Sequence, residues 1–172
     1  EILVNTFDGL AEYDMENQLK PALAESWEVS DDGLTYTFHI RQGQVWVDNQ
    51  GRKVADVTAD DWVAGMQHCL DAKAGLEYLL GGGMANIVGV DAYVNGETTD
   101  FTTVGVKAVD DYTLEYTLTD PTSYFLTMLG YGTFAPMSRT YYESMGGQFG
   151  ADYDSAADSY KYGKGPDSIA YK

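Results

Sequence analysis

The sequence predicts a mixed α/β fold in which antiparallel hairpins alternate with short helices. Three observations predict it. The stretch LAESWEVSDDGLTYTFHIRQG (23–43) holds two runs of alternating apolar and polar residues around Ser30-Asp31-Asp32-Gly33. A second pair of alternating runs spans 104–118 and turns at Asp110-Asp111. Between the two, Trp62, Val63, Met66, Cys69 and Leu70 recur at helical spacing and mark one buried helix face.

Taken in order, residues 2–10 are apolar at uneven spacing, punctuated by Gly9, and read as a short helix leading into a strand over 10–13. Residues 14–20 are polar and read as a loop, and Pro21 blocks helical continuation. In the first hairpin Trp27 and Val29 face the core from one strand, and Leu34, Tyr36, Phe38 and Ile40 from the other. Gly33 accepts positive φ without steric cost, and the Asp side chains bond nearby backbone N–H groups. Asp48-Asn49-Gln50-Gly51 marks a second, smaller hairpin within 45–57. Thr58 is expected to N-cap the following helix. Asp60 and Asp61 then lie in its first turn, where carboxylates meet the positive end of the helix dipole. A short helical stretch is expected over 75–80, broken by Gly81-Gly82-Gly83, and a longer helix over 85–94 ending at Asn95-Gly96. Asp120-Pro121 opens a short helix through Leu129. Gly130-Tyr131-Gly132 is a loop, and Ser138 N-caps a helix through Met145 that Gly146-Gly147 ends.

Composition narrows the function classes. The chain has 172 residues, enough for one good core or two small lobes. Ten Lys and Arg against 27 Asp and Glu give a net charge of −17, which excludes a basic nucleic-acid surface and disfavours an anionic membrane. Such acidity keeps a protein soluble and monomeric. No apolar run is long enough to span a bilayer. Cys69 is the single cysteine, so no internal disulfide forms, and its place in the helical pattern makes it a small buried hydrophobe. The chain starts without an initiator Met or a basic n-region and ends without a cap. It therefore reads as a piece of a longer protein, with any targeting segment lying outside it.

Catalytic and metal signatures are missing from the sequence. The pairs Asp31-Asp32, Asp60-Asp61 and Asp110-Asp111 are adjacent acids on turns or a helix start. Acid/base catalysis needs two carboxyls facing one bond. His39 lies on the polar face of a strand, and His68 stands next to Cys69 rather than at zinc-ligand spacing. There is no G-x-S-x-G elbow, and the glycine run lacks the Lys of a phosphate loop. Fourteen tyrosines invite a binding reading. Tyr36, Tyr112 and Tyr116 fit strand cores. Tyr141, Tyr142, Tyr153, Tyr160, Tyr162 and Tyr171 are less patterned and fit either a surface or packing against further chain.

Several segments, in order, resemble the large extracytoplasmic solute-binding proteins of peptide ABC transporters, the oligopeptide- and dipeptide-binding type. They are Phe7-Asp8-Gly9-Leu10, the 23–43 stretch, Thr58-Ala59-Asp60-Asp61, VGVKAVDDYTLEYTL over 104–118, and Pro121-Thr122-Ser123-Tyr124-Phe125-Leu126. The resemblance covers roughly residues 1–145. One departure is the loop 46–54, longer than the family's compact W/F-x-D-G-x-P and without its Pro.

The resemblance implies a periplasmic-binding-protein-like type II fold, of which this chain is the N-terminal part, with the C-terminal lobe absent. Residues 1–20 and 139–172 would belong to the substrate lobe and 21–138 to an inserted α+β subdomain. The implied role is capture of peptides outside the cytoplasmic membrane for delivery to permease subunits, by a periplasmic or lipid-anchored, monomeric, non-enzymatic protein without a cofactor. Asp8, Gly9 and Leu10 match a cleft-lining stretch, Asp8 offering a carboxylate to a cationic ligand end and the following backbone pairing with a bound peptide. A plain turn acid is the alternative for Asp8. Tyr131 and Gly132 match another cleft-side segment. Nickel, haem or oligosaccharide on the same fold are the alternative ligands, and a glycosidase or a tyrosine-rich interaction domain are the alternative classes.

Overall fold

The computed structural model describes residues 8–157 and 170–171. Residues 2–7 of the expected N-terminal helix, Tyr160 and Tyr162 lie outside them. The chain enters through a two-stranded hairpin of β1 (Ala11–Tyr13) and β2 (Leu19–Pro21). Residues 14–20 are therefore not all loop: Leu19 pairs with Tyr13 and Lys20 with Glu12. The strand signal is hidden because each run is three residues long. The turn is held by Asp14, whose carboxylate accepts from the Glu16 and Gln18 N–H groups, both at 2.9 Å.

The alternating runs form the main sheet. Strands β3 (Ala24–Val29) and β4 (Thr35–Ile40) make the expected hairpin, with Gly33 at φ 71° and its N–H on the Ser30 carbonyl at 2.8 Å. Two strands met later, β7 (Val106–Asp110) and β8 (Thr113–Thr117), complete it in the antiparallel order β3-β4-β8-β7. One face is the core: Tyr36, Phe38, Ile40, Leu114 and Tyr116 are buried. Edge-to-face rings bind the sheet to what covers it, with Phe38–Tyr116 at 6.0 Å, Tyr116–Phe125 at 5.6 Å and Phe125–Phe134 at 6.0 Å. Val29 corrects the pattern. It is exposed at the end of the edge strand β3, while Trp27 is half-buried against Phe38.

Strands β5 (Val45–Val47) and β6 (Lys53–Asp56) form the second hairpin, and β9 (Ala170–Tyr171) adds to the other side of β5. The turn between β5 and β6 is built on the Asp48 carboxylate, which accepts from the Gln50 and Arg52 N–H groups and pairs with the Arg52 guanidinium at 2.7 Å. Helix α1 (Asp60–Ala72) follows, burying Trp62, Ala64, Met66 and Leu70. Val63 and Cys69 are half-buried at the margin of that face. Thr58 is not the N-cap. Ala59 holds that position without a side-chain bond, and the capping runs in reverse, with the Thr58 N–H donating to the Asp61 carboxylate at 3.0 Å.

The expected helix over 85–94 is only α2 (Val90–Val94). Asn86 and Gly89 have φ of 56° and 73°, and Ile87 makes a bridge to Leu118 instead, so the first half extends the main sheet. The 75–80 stretch is a single 3₁₀ turn, Glu77–Leu79. The glycine run after it packs on Asp91, whose carboxylate accepts the Gly82 N–H at 3.0 Å, and a Cβ on Gly81 would overlap that carboxylate. Helix α3 (Phe125–Met128) starts later than Pro121, since buried Thr122 is spent on a bond from the Asn86 side chain at 2.9 Å. Helix α4 (Arg139–Ser144) is capped by Ser138 as expected and packs on α1 and β6. Among the described residues no helix is long and apolar enough to cross a membrane.

The segment leading into α4 crosses α1 at Gly65, where a Cβ would overlap the Ala135 carbonyl oxygen and stand 3.3 Å from the Met137 nitrogen. Backbone atoms cannot swing aside as a side-chain tip can. Gly65→Ala is expected to destabilise the fold by about 2 kcal/mol despite the better helix propensity of Ala, read as a lower urea midpoint.

Candidate functional site

The structure sets Gly9 of the first predicted segment against Leu129, two residues before Tyr131. Asp8 is exposed, Gly9 half-buried and Leu10 buried in the core. A Cβ on Gly9 would lie 3.2 Å from the Leu129 carbonyl oxygen, so backbone lies close against backbone at that point. Beyond Leu129 the chain turns through a 3₁₀ turn, Gly132–Phe134, with the Tyr131 N–H on Met128 at 2.9 Å and the Phe134 N–H on Tyr131 at 3.0 Å. Phe134 and Thr133 are buried, so the turn is rooted while Tyr131 and Gly132 stand on its outer side. Tyr131 is 55% exposed.

The structure adds two facts about the first segment. The Leu10 side chain fills the core. The carbonyls of Gly9 and Leu10 are already engaged, accepting from Leu23 at 3.1 Å, Ala22 at 3.1 Å and Ala24 at 3.0 Å. Strand pairing of those carbonyls is thus used within the chain. What the seam presents is the Asp8 segment on one side and the Tyr131-Gly132 turn on the other.

A further residue, Asp61, stands where the sequence shows only a plain helix start. Asp61 is 4% exposed. Its carboxylate accepts from the Trp46 indole Nε1 at 2.8 Å, the Thr58 N–H at 3.0 Å and the Arg139 N–H at 3.2 Å. Its backbone carbonyl also takes the Met137 N–H at 2.9 Å. One side chain therefore joins β5, the start of α1 and the start of α4. Next to it, Asp60 pairs with the Arg139 guanidinium, which also lies 3.7 Å from Glu143 and 4.7 Å above the Phe149 ring. Burial pushes the Asp61 carboxyl up to about 6, against the lowering effect of its three hydrogen bonds, and Asp60 adds to the rise.

The other candidates have structural surroundings. Burial and the neighbouring Glu77 push the Cys69 thiol up to about 11, which leaves it protonated and unreactive at neutral pH. His68 meets Tyr142 and Tyr153 edge-on at 5.5 Å and 5.7 Å. His39 lies 3.6 Å from Glu28 across the β3–β4 pair. Asp32 and Asp110 hold turns, accepting from Leu34 at 3.0 Å and Tyr112 at 2.8 Å. Among the described residues no group of three or more His, Cys, Asp or Glu is placed to hold a metal ion.

The fold is of the type II periplasmic-binding-protein class, and the chain belongs to a family of it: the model of the bacterial extracellular solute-binding proteins, family 5, matches residues 18–166. The chain is 45% identical over 150 residues to the oligopeptide-binding protein AmiA of Streptococcus pneumoniae serotype 4, which covers 87% of this chain and 22% of AmiA. It is 41% identical over 137 residues to the probable deoxycholate-binding periplasmic protein YgiS of Escherichia coli K12, covering 80% of this chain and 24% of YgiS. Among solved structures, the substrate-binding domain of an oligopeptide ABC transporter from Bacillus anthracis superposes with a TM-score of 0.75 at 32% identity. That match covers 98% of this chain and 29% of the other. The chain thus spans under a quarter of the length of these two curated relatives.

The raised Asp61 pKa has a defined sign. The folded chain holds this proton more tightly than the unfolded chain, whose carboxyl sits near 3.8. The stability contributed by protonation is therefore fully present below the ordinary carboxylate range and is lost as pH rises through about 6. The wild type is expected to lose stability relative to Asp61→Asn between pH 4 and pH 8, by about 3 kcal/mol in all. Urea midpoints of the two proteins across that range measure it, and a difference independent of pH contradicts it.

Proposed function

We propose that the chain is part of the substrate-binding component of an ABC importer, which captures peptides outside the cytoplasmic membrane and hands them to permease subunits. Membership of the extracellular solute-binding family carries this reading. The seam of Asp8 and Gly9 with Tyr131 and Gly132 is where this chain meets the ligand, the Asp8 carboxylate facing a cationic end of the peptide and the Tyr131 ring its side chains. Residues 1–20 and 139–172 belong to the ligand-binding lobe and 21–138 to an inserted subdomain. Across that division the Asp61–Arg139 bond acts as a joint. The protein binds its ligand without transforming it, in the periplasm or lipid-anchored at the outer face of the membrane, and closure of two lobes on a hinge completes the cleft.

The similarity to YgiS supports a second reading, in which a steroid acid such as deoxycholate takes the place of peptide. Thermal or urea unfolding of the intact protein separates the two. A peptide mixture at a hundredfold excess over Kd is expected to stabilise it by about 2.7 kcal/mol, with deoxycholate doing nothing. Stabilisation by deoxycholate alone favours the steroid reading, and no response to any peptide removes the peptide one.

A further inference from the structure

The three N–H donors on Asp61 are not shared evenly between its oxygens. Oδ2 accepts two, the Trp46 indole at 2.8 Å and the Thr58 N–H at 3.0 Å. Oδ1 accepts the Arg139 N–H at 3.2 Å. That bond is the longest of the three. It comes from the first residue of α4, whose N–H has no partner within its own helix. The β5 and α1 sides of the joint thus share one oxygen, and the α4 side holds the other.

A carboxylate accepts on both oxygens, whereas a carboxyl group carries a proton on one and turns it into a donor. A proton on Oδ2 would face two N–H groups, and a proton on Oδ1 only one. The proton therefore belongs on Oδ1, and the bond it displaces is the one from Arg139. Losing one long hydrogen bond costs less than keeping a buried charge, so protonation stabilises the fold as a whole while loosening one contact within it. The surrounding groups leave this choice intact. On α1 the adjacent Asp60 carries a like charge and favours the proton. On α4 the Arg139 guanidinium is turned to Asp60 and lies 3.7 Å from Glu143. Strand β5 presents the neutral Trp46 indole, and on β6, which packs on α4, Lys53 and Asp56 pair with each other at 2.7 Å.

We propose that Asp61 is an acid-operated latch: acidification places a proton on Oδ1 and releases the backbone at the start of α4, while Trp46 and Thr58 stay bound to Oδ2. The release is local. The Met137 N–H keeps its bond to the Asp61 backbone carbonyl at 2.9 Å, and the Arg139 side chain keeps Asp60 and the Phe149 ring. Burial holds the carboxyl up at about 6, so the latch works between mildly acidic and neutral solution.

The test is amide hydrogen exchange on the intact protein, resolved to single residues and corrected for the intrinsic pH dependence of exchange, at pH 5 and pH 7.5. In the wild type the protection of Arg139 is expected to be about 10-fold lower at pH 5, while that of Thr58 stays within about 2-fold. Asp61→Asn keeps a single acceptor oxygen, and its Arg139 protection is expected not to differ between the two pH values. Unchanged protection of Arg139 in the wild type overturns the proposal. A parallel fall at Thr58 and Arg139 overturns it too, since the joint then opens as a unit. A pH dependence that persists in Asp61→Asn assigns the effect to another group and also overturns it. The wild-type comparison of the two amides decides by itself should the variant not fold.

Discussion

The described structure hangs on one buried carboxylate. Asp61 receives an indole N–H from β5, a backbone N–H from the entry to α1 and another from the entry to α4. A buried donor left without an acceptor costs roughly 1–3 kcal/mol, so the bonds that Asp61 accepts weigh in the fold. The arrangement also carries its own cost. The charge on Asp61 is far from water, and the nearest guanidinium, Arg139, is committed to Asp60 and Glu143. Burial therefore wins over hydrogen bonding, and the carboxyl sits well above its ordinary range. The joint is strong in geometry and strained in charge.

From that joint the seam follows. With residues 137–139 tied to Asp61, the segment before them crosses α1 at Gly65, where backbone lies against backbone. The turn Gly132–Phe134 is then pressed onto the aromatic core through Phe134 and Phe125, and Leu129 is delivered to Gly9. The core thus decides where Tyr131 and Asp8 stand, although neither belongs to it. A surface built this way is rigid underneath and chemically plain on top, which is what the proposed binding role asks of it.

The hairpins were legible because alternation of apolar and polar residues has one structural meaning, and the turns at Gly33 and Gly51 carry their own chemistry. Strand β2 was not legible, since three residues cannot show a period and its turn depends on the Asp14 side chain. The helix expected over 85–94 failed because Ala85, Ile87 and Val90 are buried at a spacing that suits either a helix or an irregular edge. Only the positive φ of Asn86 and Gly89 decides between them. Asp61 was hidden by its neighbour: two adjacent acids at a helix start look alike, and its burial comes from Trp46 and Arg139, far off in sequence. The seam residues were reached through family resemblance, not spacing.

Amide hydrogen exchange of Asp61→Ala against wild type tests the joint most directly. The exchange of Thr58 and Arg139 is expected to accelerate at least about 10-fold, while the β4 and β8 amides of the main sheet keep their protection relative to one another. Wild-type protection at both Thr58 and Arg139 in the variant would contradict the claim that this carboxylate holds the three segments together.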